Sequence, residues 1–174
     1  MDSHRGIAIV AMIAAIVSTT RGQSPRAGEE GRSGGRQVVN FNDGWRFAKG
    51  EQAGAEKPDF DDTAWQAVRL PHDWAIAGPF NPSENGYAGK LPWRGEGWYR
   101  KVFTLQNLET RNSAPETGLA AASRVYFDFD GVMAFPKVYV NGQLAGQWDY
   151  GYMSFRVDAT PYVRFGRKNT IAVH

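Results

Sequence analysis

The sequence contains no cysteine. Disulfide staples and thiolate metal centres are therefore excluded, although export from the cell is not. Net charge is small: 20 basic side chains stand against 18 acidic ones, a formal +2. Four of the basic residues (Arg21, Arg26, Arg32, Arg36) lie in an N-terminal tail, so the alkaline pI says little about the folded part. Nucleic-acid recognition needs a basic face interleaved with base-stacking aromatics, and no such cluster occurs. No long window shows helical periodicity. The one extended apolar run, Gly6 to Val17, is about a dozen residues long, whereas a membrane span needs ~20.

That run fits an export signal instead. His4 and Arg5 precede it, and the small residues Ser18, Thr19, Thr20 and Gly22 follow, with cleavage expected after Gly22; the alternative is an uncleaved apolar anchor. Residues 23–37 are rich in Gly, Arg, Ser and Glu and offer almost nothing to bury, the composition of a flexible linker. A folded domain is expected over 38–174, with no membrane span once the leader is removed.

What the rest of the chain does have is short apolar segments alternating with turn signals. Val38 to Phe41 and Trp45 to Phe47 flank Asn42-Asp43-Gly44, a turn sequence. Pro58 to Trp65 carries acidic residues and Thr63 suited to one capped turn, with Phe60 and Trp65 directed inward. Strands are expected at Trp65–Leu70, Trp98–Leu105, Arg124–Val132, Ser154–Val157 and Thr170–His174. In the third of these, Val125, Phe127 and Phe129 alternate with Tyr126, Asp128 and Asp130, the period of a strand with one buried face. Asn141-Gly142 after Val138 and Val140 marks a tight hairpin. Asp158 to Val163 reads as a capped turn with Pro161 early in a short helix. Short antiparallel strands at this spacing indicate an all-β sandwich.

Five ordered blocks, FNDGWRF, FDDTAWQAVRLPHDW, GWYRKVF, VYVNGQLAG and SFRVDATPYV, resemble the N-terminal sugar-binding domain of glycoside hydrolase family 2. LPHDW with GWYRK is most similar to the β-galactosidase branch. The resemblance covers Val39 to His174. It implies a jelly-roll sandwich of the galactose-binding-domain type, standing in front of an immunoglobulin-like domain and a (β/α)₈ barrel. That barrel, which alone takes ~250 residues, would carry the two glutamates of a retaining mechanism. The family's acid/base Glu follows an Asn, and no Asn-Glu dipeptide occurs here. The resemblance therefore implies the front piece of a longer enzyme, without the catalytic pair, without a cofactor, and with a barrel domain and a β-galactoside-like carbohydrate as partners.

Candidate site residues follow from chemistry and from the resemblance. His72-Asp73 looks catalytic at first sight, but adjacent residues in extended chain point to opposite sides. The pair reads instead as an anchor that satisfies backbone groups where the strand enters the Pro- and Gly-rich loop. Asp128 and Asp130 share a strand face and read as solvent-facing charges. A sugar site needs a few fixed polar groups beside aromatic walls, and Trp148-Asp149-Tyr150-Gly151-Tyr152 has that mixture. By resemblance, Asp149 matches an Asp that reaches the barrel's sugar, and Asn85 matches an Asn that helps hold it. Trp93 and Lys90 would flank the same space, although packing is the role a Trp at 93 more often takes. The alternative, a surface Asp149 with Trp148 and Tyr152 in the core, stays open at this point. Asp61-Asp62 reads as capping, and the acidic residues lack the spacing of a metal site.

Overall fold

The computed structural model of the protein describes residues 12–13, 38–76, 78–84, 86, 90, 95–105 and 124–174. The expected leader and linker therefore lie outside the described residues, apart from Met12–Ile13. Among the described residues nine strands appear in chain order: β1 Met12–Ile13, β2 Trp45–Lys49, β3 Gln66–Val68, β4 Gly97–Thr104, β5 Tyr126–Gly131, β6 Lys137–Val140, β7 Gln143–Gln147, β8 Phe155–Asp158 and β9 Lys168–Val173. One sheet has the order β1-β5-β8 and the other β3-β2-β4-β9-β6-β7. Every pairing between these strands is antiparallel. The two layers bury one face each against the other, as the alternating pattern requires, and the result is the expected jelly-roll sandwich.

The shared core contains Trp45 and Phe47 from β2, Tyr99 and Phe103 from β4, Val138 and Val140 from β6 and Ile171 and Val173 from β9. Facing them are Phe127, Phe129, Phe155 and Val157 of the small sheet. Phe129 and Phe155 are directly opposed across β5 and β8, and their rings stack at 4.6 Å and 5°. A cross-strand aromatic pair of this kind adds ~0.5–1.5 kcal/mol beyond its area burial. The other face of β4 is covered as well, by the segment between β2 and β3. There Ala55, Trp65, Trp98 and Ala172 form a second cluster, flanked by Ala48, Phe60 and Tyr139.

Arg100 fastens this cover. It is 1% exposed, and its Nε donates to Asp62 Oδ2 at 2.9 Å. Its Nη1 donates to the carbonyls of Ala55 and Lys57, and its Nη2 to that of Phe60. Three carbonyls of an irregular segment thus find partners inside the protein, which a buried loop requires. At the foot of the segment the Asp61 carboxylate accepts the Thr63 N–H at 3.0 Å, the expected capped turn.

Val38 to Phe41 lies outside the strands, and its Phe41 carbonyl accepts from Trp45 Nε1 at 2.8 Å and from Lys101 Nζ at 2.9 Å. One segment is shorter than expected. The short helix at Pro161 is a single turn. Tyr162 and Val163 N–H groups both donate to the Ala159 carbonyl. The chain then straightens because Asn169 captures both backbone groups of Arg164, accepting its N–H at 2.7 Å and donating to its carbonyl at 2.8 Å. The hairpin is as expected: Asn141 and Gly142 have φ of 51° and 83°, as a two-residue turn of the primed type needs.

Candidate functional site

Three connections meet at one end of the sandwich: the two ends of the chain between β3 and β4, the β5–β6 connection, and the β7–β8 connection. Between the first two lies a cleft of about 300 Å³. Its apolar walls include Trp74, Tyr99, Val132 and Phe135, and Glu96 and Lys137 bring opposite charges to its lining. The size is at the lower bound of small-ligand sites, and the mixture of aromatic wall and few polar groups is their usual character.

His72 and Asp73 prepare this cleft rather than line it. Asp73 Oδ1 accepts the Ala75 N–H at 2.9 Å, turning the chain inward at Trp74. The His72 ring lies against Phe47 at 4.8 Å between centroids, and its Nδ1 is hydrogen-bonded to the Tyr99 hydroxyl at 3.0 Å. Burial pushes the His72 pKa down, the Asp73 charge pulls the other way, and Lys49 adds to the depression. Burial likewise raises the Tyr99 phenol far above its ordinary range. His72 and Tyr99 are thus neutral partners at pH 7, and Tyr99 is held rigidly in the cleft wall. Gly97 makes the remaining room: a Cβ there would overlap the Trp74 ring, lying 2.8 Å from Cη2. The loop-anchor reading of His72-Asp73 matches this geometry, with one refinement. The His72 ring engages a tyrosine hydroxyl and not the backbone.

The residues singled out by sequence fall as follows. Trp148, Asp149 and Tyr152 share the β7–β8 connection, and all three are exposed. Trp148 stacks its ring on Phe155 at 5.7 Å and 9°. Tyr152 is 71% exposed and lies 5.7 Å from Tyr150 at a 59° tilt. The connection joins the cleft region through Gly151, where a Cβ would come within 2.8 Å of Met133 Cγ. Asn85 and Trp93 lie outside the described residues. Lys90 folds the loop onto itself, donating to the carbonyls of Pro82 at 2.7 Å and Glu84 at 3.3 Å. Asp128 accepts a two-pronged contact from Arg156 Nε and Nη2, so it does not act as half of a free carboxylate pair with Asp130.

Sequence reasoning missed the cleft itself. Trp74 and Gly97 are 23 positions apart and meet only through the fold, so no local pattern ties them together. Phe135 was unremarkable in sequence; it is 66% exposed with φ of 59°. A bulky residue in the left-handed region is rare. Nor did any local signal mark Lys137, which sits on β6 beside the end of β9.

No protein-family model matches the chain. A β-galactosidase from Bacteroides ovatus is 40% identical over 142 residues, which are 79% of this chain and 15% of that protein. A putative β-glucuronidase from Formosa agariphila is 35% identical over 139 residues, 79% of this chain and 12% of the relative. The chain thus spans well under a fifth of the length of these curated relatives. Among solved structures, a glycosyl hydrolase family 2 member from Bacteroides cellulosilyticus superposes with a TM-score of 0.61 at 34% identity, covering 76% of this chain and 16% of that one. A β-glycosidase from Bacteroides vulgatus gives 0.62 at 36% identity, covering 78% and 16%. With the sandwich, its loop end and these likenesses together, the chain belongs to glycoside hydrolase family 2 and corresponds to one domain of its members.

Proposed function

We propose that this chain is the non-catalytic, sugar-contacting N-terminal domain of an exported β-galactosidase-like glycoside hydrolase. The observation that carries the reading is the loop end: a cleft with aromatic walls beside a connection that holds Trp148, Asp149 and Tyr152 in solvent. Sugars present C–H faces to rings and hydroxyls to carboxylates, so this surface suits them. The reaction belongs to a catalytic barrel elsewhere in the enzyme, which hydrolyses a terminal β-linked sugar through a covalent glycosyl intermediate. Asp149 and Asn85 position the sugar, and Trp93, Trp148 and Tyr152 shape its surroundings. Positioning contributes to rate without any proton transfer. Residues 1–22 direct export, which places the protein outside the cytoplasm.

A second reading is a free-standing carbohydrate-binding module, and the exposure of Tyr150 and Tyr152 favours it. Two assays on the purified chain test both. A chromogenic β-galactoside should show no turnover, and turnover that vanishes on Asp149→Ala would overturn the non-catalytic assignment. Calorimetric titration with galactose and β-linked oligosaccharides separates the readings. Millimolar or tighter binding supports the module, and no binding supports a domain that contacts sugar only beside its barrel.

A further inference from the structure

Asn141-Gly142 does more than turn the β6–β7 hairpin. The Asn141 side chain is buried, and every hydrogen-bonding capacity of its amide hydrogens is used. Nδ2 donates one hydrogen to the Tyr162 carbonyl at 2.8 Å and the other to Asn169 Oδ1 at 2.8 Å. Oδ1 accepts the Thr170 N–H at 3.0 Å. Asn169 Oδ1 also accepts from Arg164 N, so it has no proton to offer in return. One carboxamide therefore ties the hairpin to β9 and to the turn after β8. Its orientation is fixed by chemistry, because the reverse would set its oxygen against two other oxygens.

An Asn followed by Gly is also the most reactive dipeptide towards loss of the side-chain amide, since no side chain shields the next backbone nitrogen. The Gly142 nitrogen gives up its proton and attacks Asn141 Cγ. A five-membered imide forms and ammonia leaves. Water then opens the ring at either carbonyl, giving aspartate or its isomer with the main chain rerouted through the side chain. In the native fold the attack is blocked. The Asn141 carboxamide is pinned by its three hydrogen bonds, and Gly142 is packed against the preceding cover, its Cβ position 3.2 Å from Pro58 Cδ.

We infer that Asn141-Gly142 is a latent site of spontaneous deamidation, protected only by the closed clamp, whose product is barred from returning to the native state. Either product loses the two donors of Nδ2. In the aspartate an oxygen takes the nitrogen's place and faces the Tyr162 carbonyl and Asn169 Oδ1, two acceptors in a buried space, with no proton to share while ionised. In the isomer Cγ is joined to the Gly142 nitrogen, which takes the side-chain donors away from both acceptors and lengthens the main chain of the turn by one carbon. Opening of the hairpin away from β9, otherwise reversible, becomes irreversible each time the reaction intervenes. The lifetime of the folded domain is then set by how often this clamp opens.

The experiment incubates the purified chain at mildly alkaline pH in graded urea and maps Asn141 by peptide mass spectrometry. Asn85-Gly86, the other Asn-Gly in the sequence, is read in the same digests to show that the chemistry runs in the unfolded chain. The expected result is conversion of Asn141 at least ~10-fold slower in native buffer than in denaturing urea, rising with the unfolded fraction. Modified molecules should collect in the fraction that has lost its near-ultraviolet aromatic signal. Equal rates in native and unfolded chain overturn the inference, as does modified protein with a native signal and melting temperature. Asn141→Asp gives an independent reading. Failure to reach the wild-type melting temperature supports the inference, and an unchanged melting temperature sinks it.

Discussion

The outer face of the large sheet and the loop end draw on the same residue types and dispose of them in opposite ways. On the outer face Trp65 and Trp98 are buried under a cover whose carbonyls are collected by Arg100, itself 1% exposed. At the loop end Phe135, Trp148, Tyr150, Tyr152 and Met153 stand in solvent. The first region uses a charged group to complete its own packing. The second leaves apolar surface unpacked, which is what the proposed function asks of a contact surface. Stability should therefore reside in the clamp and recognition in the loops, and substitutions in the two regions should separate cleanly.

The largest effect is expected at Arg100. Arg100→Met keeps the apolar stem but leaves Asp62 without its partner and strands the carbonyls of Ala55, Lys57 and Phe60. Breaking a buried pair from one side costs ~3–5 kcal/mol, on the order of 10–20 °C in melting temperature for a domain of this size. Arg100→Lys should recover only part of that, because an ammonium cannot span acceptors as the planar guanidinium fork does. Thermal unfolding of both variants checks this. A Met variant melting with the wild type would mean that the cover is held by Trp65 and Trp98 alone, and the contrast between the two regions would fail.

Legibility followed the same division. The sandwich was readable because strand alternation is local: Val125, Phe127 and Phe129 declare their face within five residues, and Asn141-Gly142 declares its turn in two. Asp61-Asp62 as a cap was readable in part. Asp61 takes that role through Thr63, while Asp62 bonds to a guanidinium 38 positions away. The clamp was not readable, because a single Arg in a strand looks like any solvent-facing charge until the segment that covers it is in place. At the loop end the residue types pointed to Trp148, Asp149 and Tyr152. The cleft walls did not announce themselves, because Trp74, Tyr99 and Phe135 come from three separate connections or strands.

A smaller effect, graded by pH, is expected where the two regions join. His72 stands between the core ring Phe47 and the cleft wall Tyr99, and burial holds its pKa below the ordinary 6.5. In the unfolded chain the imidazole takes up a proton as pH falls through that value, while the folded form resists. Between the two pKa values the unfolded state binds more protons, so stability is complete above pH 6.5 and declines as pH drops towards the folded value. Asp61 and Asp158, whose pKa values are lowered by hydrogen bonds from Thr63 and Thr160, weaken the fold only below their ordinary 3.8. The His72 window therefore opens at higher pH than theirs. Melting temperatures measured from pH 7.5 to 5 should fall for the wild type and fall less for His72→Gln. Identical slopes would remove His72 from the account.

The smallest effect on stability, and the sharpest division between the regions, belongs to Tyr152→Ala. Tyr152 is 71% exposed, and its ring touches Tyr150 rather than the core. Removing it should change stability by no more than ~0.5 kcal/mol. Trp148→Ala should cost somewhat more, because its ring stacks on the buried Phe155 and such a pair is worth ~0.5–1.5 kcal/mol. If the exposed rings serve recognition, both variants weaken any sugar binding seen by titration while the Tyr152 variant melts like the wild type. Arg100→Lys should do the reverse, losing stability and keeping affinity in the population that remains folded. A Tyr152 variant that melts several degrees lower would instead show that the β7–β8 connection packs for its own sake, and the loop end would then be a second structural region rather than a place of contact.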